Sequence, residues 1–227
     1  MKVLCTNALK AVLSELAPEF ERAQGSPLDI AWGSTQTLID KIGGGEGGDL
    51  AILSDEAIDD LIRKGRLAQG SRTDLARSFI GIAVRAGGRK PEIGSAEAFK
   101  AALLAARSVC YSRSGISGIY FKGLLERIGL ADAIGPKTVL PPTGVAVGEA
   151  LARGDAEIGV QQISELIPFA GIEVVGPLPP PLQKVSVFSA GLFAAAADPS
   201  GAQALVRALT APATRALYAR NGMEPAF

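Results

Sequence analysis

Histidine is missing from this sequence altogether. Its absence removes Ser-His-Asp and Cys-His nucleophilic constellations and any zinc site built on imidazole. Cysteine occurs twice, at Cys5 and Cys110. Two are too few and too far apart in sequence for a metal knuckle or a disulfide framework, although spacing leaves one bridge open. Aromatics are only 5% of the 227 residues, so a core must rest on aliphatics and alanine, which a 48% hydrophobic content can supply. Net charge is absent too, since 23 Lys and Arg offset 23 Asp and Glu. No global positive field attracts a nucleic acid or an anionic membrane, and any anion site has to be local. The longest stretch without a charge, Val185 to Ala197, falls short of the ~20 residues of a spanning helix, so a soluble chain is expected. The opening Met-Lys-Val-Leu lacks the basic and apolar regions of a secretory signal. A chain natively starting there would be cytoplasmic, and an exported one would have lost its leader.

What is present is an alternation of short aliphatic runs with longer helical patterns, which predicts an α/β fold with mostly parallel sheets. Strands are expected at Lys2–Cys5, Asp29–Trp32 and Leu50–Leu53. Helices are expected from Thr6 and Asn7 to Ala23, over Thr35–Ile42 and over Glu56–Lys64, with Pro18 kinking the first. A second series follows, with strands at Phe79–Val84, Ser108–Tyr111, Lys137–Leu140, Ile158–Val160 and Ile172–Val175. Its helices are expected at Ala96–Ala106, Ser117–Ile128, Val145–Arg153 and Ile163–Ile167. Pro177, Pro179, Pro180 and Pro181 then interrupt regular structure. A long strand over Val185–Ala197 and helices from Ser200 and Ala211 close the chain. The expected organisation is two lobes, residues 1–80 with 186–227 and residues 81–185.

Several strings in this order resemble the periplasmic solute-binding proteins of type II fold, in particular their molybdate-binding branch. They are Thr6-Asn7-Ala8-Leu9, Gly33-Ser34-Thr35-Gln36-Thr37-Leu38, Asp49-Leu50-Ala51-Ile52-Leu53-Ser54, Ser117-Gly118-Ile119-Tyr120 and Gly154-Asp155-Ala156-Glu157-Ile158-Gly159-Val160. The resemblance implies two lobes closing by hinge motion over a ligand cleft, a monomeric chain, and capture of a small anion for an ABC permease in the periplasm. Two positions depart from the molybdate pattern: Leu4 stands where that branch has a serine and Gln162 where it has a tyrosine. Both departures point away from molybdate.

The residues themselves indicate the same region. Ligands of open α/β sheets bind beyond the carboxyl ends of the strands. Small polar residues stand there: Thr6, Asn7, Ser34, Thr35 and Ser54 in the first series, and Arg113, Ser114, Ser117 and Gln162 in the second. Several open a helix, where free N–H groups and the dipole favour an anion. Taken singly, each Ser or Thr is a helix cap; together they predict a ligand-binding set. Arg113 suits a planar carboxylate held by two hydrogen bonds, with a surface ion pair as the plain alternative. The expected ligand is therefore an organic di- or tricarboxylate or an oxyanion.

An isomerase acting on a small polycarboxylate, similar to the aconitate isomerase built on this scaffold, is the alternative. It would need a carboxylate, Lys, Tyr or Cys5 as its base; Cys5 before a helix start has a setting that can lower a thiol pKa, with a small core residue as the more frequent alternative. No catalytic residue, cofactor or metal is assigned. The G-x-G-x-x-G spacing within Gly43–Gly48 follows a helix and precedes a strand, the reverse of a dinucleotide fingerprint. Asp55, Glu56, Asp59 and Asp60 read as the acidic start of a helix rather than a metal site. Trp32 on the second strand reads as core, with a cleft wall as the alternative.

Overall fold

β1 (Lys2–Thr6) is buried from Val3 onward, and its aliphatic side chains recruit a layer on each face of the sheet. A 3-10 turn at Asn7–Leu9 leads into α1 (Lys10–Gln24), which runs through Pro18 and stops at Gly25, whose φ of 69° only glycine adopts readily. The computed structural model describes residues 1–142 and 144–227. β2 (Asp29–Gly33), α2 (Thr35–Gly43), β3 (Leu50–Ser54) and α3 (Asp55–Arg63) follow. β4 (Thr73–Arg85) is longer than the expected strand. Its first half alternates Asp74, Arg77 and Ser78 with apolar residues, so the hydrophobic run alone begins too late to reveal it.

The chain continues through α4 (Ala96–Ala105), β5 (Val109–Tyr111), α5 (Ile116–Arg127), α6 (Ala131–Ile134) and β6 (Thr138–Val139). It goes on through α7 (Val147–Arg153), β7 (Ile158–Gln162), α8 (Ile163–Leu166), β8 (Ile172–Pro177) and β9 (Val185–Leu192). β9 ends five residues before the expected Ala197 because Phe193 bridges to Leu67 and a turn closes from Ala196 N–H to Phe193 O at 3.2 Å. α9 (Pro199–Leu209), α10 (Arg215–Arg220) and β10 (Met223–Pro225) finish the fold. β10 was not foreseen. Three residues ending in proline show no strand pattern, and only their antiparallel pairing with β4 makes them one.

Two compact units result, Met1–Ser78 with Ser186–Phe227, and Phe79–Val185. In the first, β2, β1 and β3 are parallel and β9 lies antiparallel on β3. In the second, β7, β5 and β6 are parallel while β4 pairs antiparallel with β7 and β8. The first unit packs Leu4, Leu38, Leu53, Ile58 and Phe193 on one face of its sheet. The second has a core on each face: Ile82, Phe99, Phe121 and Val160 on one, and Ala83, Cys110, Leu151 and Leu166 on the other. Each fully buried side chain of this size stabilises by about 1.5–3 kcal/mol. No helix among the described residues is long and apolar enough to cross a membrane.

Candidate functional site

In the first unit three parallel strands end level with one another. The register pairs Thr6 with Gly33 and Cys5 with Ile52, so Asn7, Ser34 and Ser54 leave the sheet together. Ser34 is the cap of α2: its Oγ accepts from Thr37 N–H at 3.1 Å and shares a 2.9 Å hydrogen bond with the Thr37 hydroxyl. Ser54 caps α3 by position, without a side-chain bond. Thr6 and Thr35 are buried and Asn7 is exposed. The Thr35 hydroxyl has no partner among the described residues although only 5% of the residue is exposed. This edge offers neutral donors and two helix starts.

The second unit brings its four expected residues to one edge as well. β5 and β7 are parallel neighbours with Tyr111 opposite Val160. Beyond that pair the chain turns at Ser112, whose Oγ accepts from Gly115 N–H at 2.9 Å. Gly118 in the first turn of α5 then backs onto the Ser112 carbonyl so closely that any Cβ would collide with it. Ser117 is buried, whereas Arg113 and Ser114 are exposed. The Arg113 guanidinium has neither an ion pair nor a hydrogen bond among the described residues, so the plain ion-pair alternative has no partner there. Gln162, fully buried, ends β7.

Glu165 escaped the sequence reading. It lies on α8 and accepts a 2.6 Å hydrogen bond from Gln161 Nε2. Burial pushes its carboxyl up to about 7, and the Gln161 bond offsets only part of that rise. The signal available was a glutamate four residues after a strand-end glutamine, the spacing at which two side chains meet across one helical turn.

Cys5 requires a correction. It is fully buried on β1, and burial moves its thiol well above the ordinary range instead of lowering it. Cys110 is pushed up to about 12, by burial and then by the Asp155 charge. Both are free thiols. Trp32 is half-buried on β2 with Lys10 Nζ 5.9 Å from its ring centroid. Gly43–Gly48 joins α2 to β3. Asp55 and Asp59 join Asp74 around Arg72, at 3.6, 2.5 and 2.8 Å. Among the described residues no group of three His, Cys, Asp or Glu is arranged to hold a metal.

Residues 1–224 match the family described as bacterial extracellular solute-binding protein. The chain belongs to that family. The chain is 35% identical to the aconitate isomerase of Pseudomonas sp., over 99% of this chain and 87% of that protein. Identity to the molybdate-binding protein ModA of Escherichia coli (strain K12) is 26%, over 78% of this chain and 70% of that protein. The structure of the Azotobacter vinelandii periplasmic molybdate-binding protein superposes with a TM-score of 0.80 at 21% identity, covering 98% of both chains. The solute-binding fold is thereby shown, a mixed and mostly parallel set of strands flanked by helices. The α/β class with mostly parallel sheets was expected from the alternation of elements, and the solute-binding fold from the family resemblance.

Proposed function

We propose that this solute-binding-protein fold carries an isomerase that interconverts the cis and trans forms of aconitate, a small tricarboxylate. The observation that carries the reading is the 35% identity to an aconitate isomerase along 99% of the chain. The chemistry of the strand ends supports it. Arg113, without a partner among the described residues, suits a carboxylate held by two parallel hydrogen bonds. Taken by itself, the first unit's strand-end edge also offers neutral donors and helix starts of the kind that favour negative oxygens.

Side chains can change the geometry of this alkene in two ways. A thiolate can add, allow rotation and leave; or a base can move a proton between the two carbons flanking the central one. Cys5 and Cys110 are both buried, with thiols shifted far from ionisation, which starves the first route. In the second, the methylene C–H bond breaks and its electron pair becomes the new double bond. The old double-bond pair takes up a proton at the far carbon, so atoms and charge balance. The test is proton NMR of cis-aconitate in D2O with the purified chain. Appearance of the trans form with deuterium in its methylene is expected, and unchanged aconitate would end this reading.

Capture of an anion for an ABC permease in the periplasm is the second reading, favoured by the family match over residues 1–224. A thermal-shift panel of molybdate, sulfate, citrate and aconitate, paired with the NMR assay, separates the two. Binding of a ligand that is returned unchanged supports transport. Ligand binding to the folded state raises apparent stability by ~2.7 kcal/mol at 100 times the dissociation constant.

A further inference from the structure

The isomerase reading leaves its base unnamed, while the second unit holds a partly buried, desolvated carboxyl that no ion pair among the described residues uses. Glu165 follows β7 directly, in the four-residue α8. Among the described residues its one hydrogen bond comes from Gln161 Nε2. Gln161 is itself only 5% exposed, and its Oε1 has no partner among the described residues. Buried amide oxygens are normally paired, so this one marks a place where a group from outside the chain completes the polar set. The position fits the substrate chemistry as well. Because β5 and β7 run parallel with Tyr111 opposite Val160, the Arg113 turn and the Gln161–Glu165 segment leave the sheet side by side.

We infer that Glu165 is the residue that moves the proton in the isomerisation, with Gln161 as its positioning residue. This assignment rests on the isomerase reading. As the carboxylate forms an O–H bond, the methylene C–H bond of aconitate breaks and its electron pair becomes the new double bond. The old double-bond pair then takes the proton from Glu165 at the far carbon, and the residue returns to carboxylate. A carboxyl held near 7 by burial exists in both forms around neutrality, as a group that both accepts and donates requires. The charged groups on the elements packed against α8 are engaged elsewhere: Glu149 and Arg153 of α7 pair with each other, and Glu173 of β8 pairs with Lys90. Among the described residues no cation pairs with Glu165 to fix it in its ionised form.

The experiment uses the full chain and cis-aconitate in D2O. Glu165→Gln keeps an oxygen to accept from Gln161 and removes only the carboxyl's titration, so it should melt cooperatively and no lower than wild type near neutrality. Its kcat should fall by ~10²–10⁴-fold with KM within about threefold, and deuterium uptake should stop. Gln161→Leu removes a bond that favours the charged carboxylate, so the acidic limb of its kcat profile should move to higher pH. Should Glu165→Gln fail to melt cooperatively, Glu165→Asp decides: a kcat lowered by about tenfold or more at unchanged KM supports the assignment. Wild-type kcat and deuterium uptake in a folded Glu165→Gln chain, or an unaltered pH profile in Glu165→Asp, would overturn it. A wild-type chain that neither isomerises aconitate nor takes up deuterium would instead remove the isomerase reading, and this assignment with it, before any variant is made.

Discussion

Asp49 and Asp74 of the first unit and Glu165 of the second, all at least partly buried, are shifted in opposite directions. In the first, Asp49 is 5% exposed and accepts from the backbone N–H groups of Lys2 at 2.7 Å and Asp198 at 2.8 Å. Burial alone would raise its pKa, yet those hydrogen bonds hold it below the ordinary carboxylate value. Asp74 is lowered too, by Arg72 first and by Ser189, which donates at 2.7 Å. In the second unit Glu165 receives one hydrogen bond from a neutral amide and is raised. The difference teaches which acids are framework: a carboxylate wrapped in donors cannot take a proton near neutrality, and one left with a single amide can. The strand ends differ too: the first unit's carry neutral polar groups alone, while the second unit's add to its serines a guanidinium without a partner among the described residues.

The comparison can be attacked where it is most rigid. Gly118→Ala should cost about 3 kcal/mol, because the new methyl meets the Ser112 carbonyl, a backbone atom that cannot rotate away. A urea midpoint within error of wild type would show that the Ser112 turn is free to move. Arg113→Ala should weaken aconitate binding by about 1.5–3 kcal/mol, measured by calorimetry, with an unchanged melting temperature since the side chain holds no partner among the described residues. Unaltered affinity would remove the second unit's charge from the site.

A smaller effect should appear with pH. Glu165 binds its proton more tightly folded than unfolded, so its favourable contribution is complete below its ordinary value of 4.5 and is lost as pH rises to about 7. Urea titrations of wild type and Glu165→Gln should therefore diverge over this window, wild type losing on the order of 2 kcal/mol relative to the variant. Parallel curves would mean that the carboxyl titrates normally. The smallest effect belongs to the first unit's surface. Arg220→Ala breaks a 2.5 Å pair with Glu15 in which both side chains are largely exposed, and it should cost no more than about 1 kcal/mol by the same titration.

The strands and helices were legible wherever a hydrophobic period stood alone, as at Lys2–Thr6, Thr35–Gly43 and Ile116–Arg127. Legibility failed where pairing overrode pattern. β4 begins six residues before its apolar run, at Thr73, since Asp74 is held by Arg72 and Ser189. The expected strand over Lys137–Leu140 shrinks to Thr138–Val139 because Pro141 and Pro142 follow. Among site residues, the strand-end serines and threonines were visible as caps. Glu165 was not, because an acid three residues beyond a strand end looks like an ordinary first-turn glutamate until its surroundings are known.

By itself the sequence determined the α/β class, the absence of imidazole chemistry and the positions of the strand ends, all consequences of local period and composition. Only the tertiary structure decided the protonation of Cys5, Glu165 and Asp49. Such values depend on solvent exclusion and on donors contributed by distant segments, as when Asp198 reaches Asp49. Arg113 illustrates the same division: its charge is written in the chain, but whether another residue neutralises it depends on what folding brings alongside.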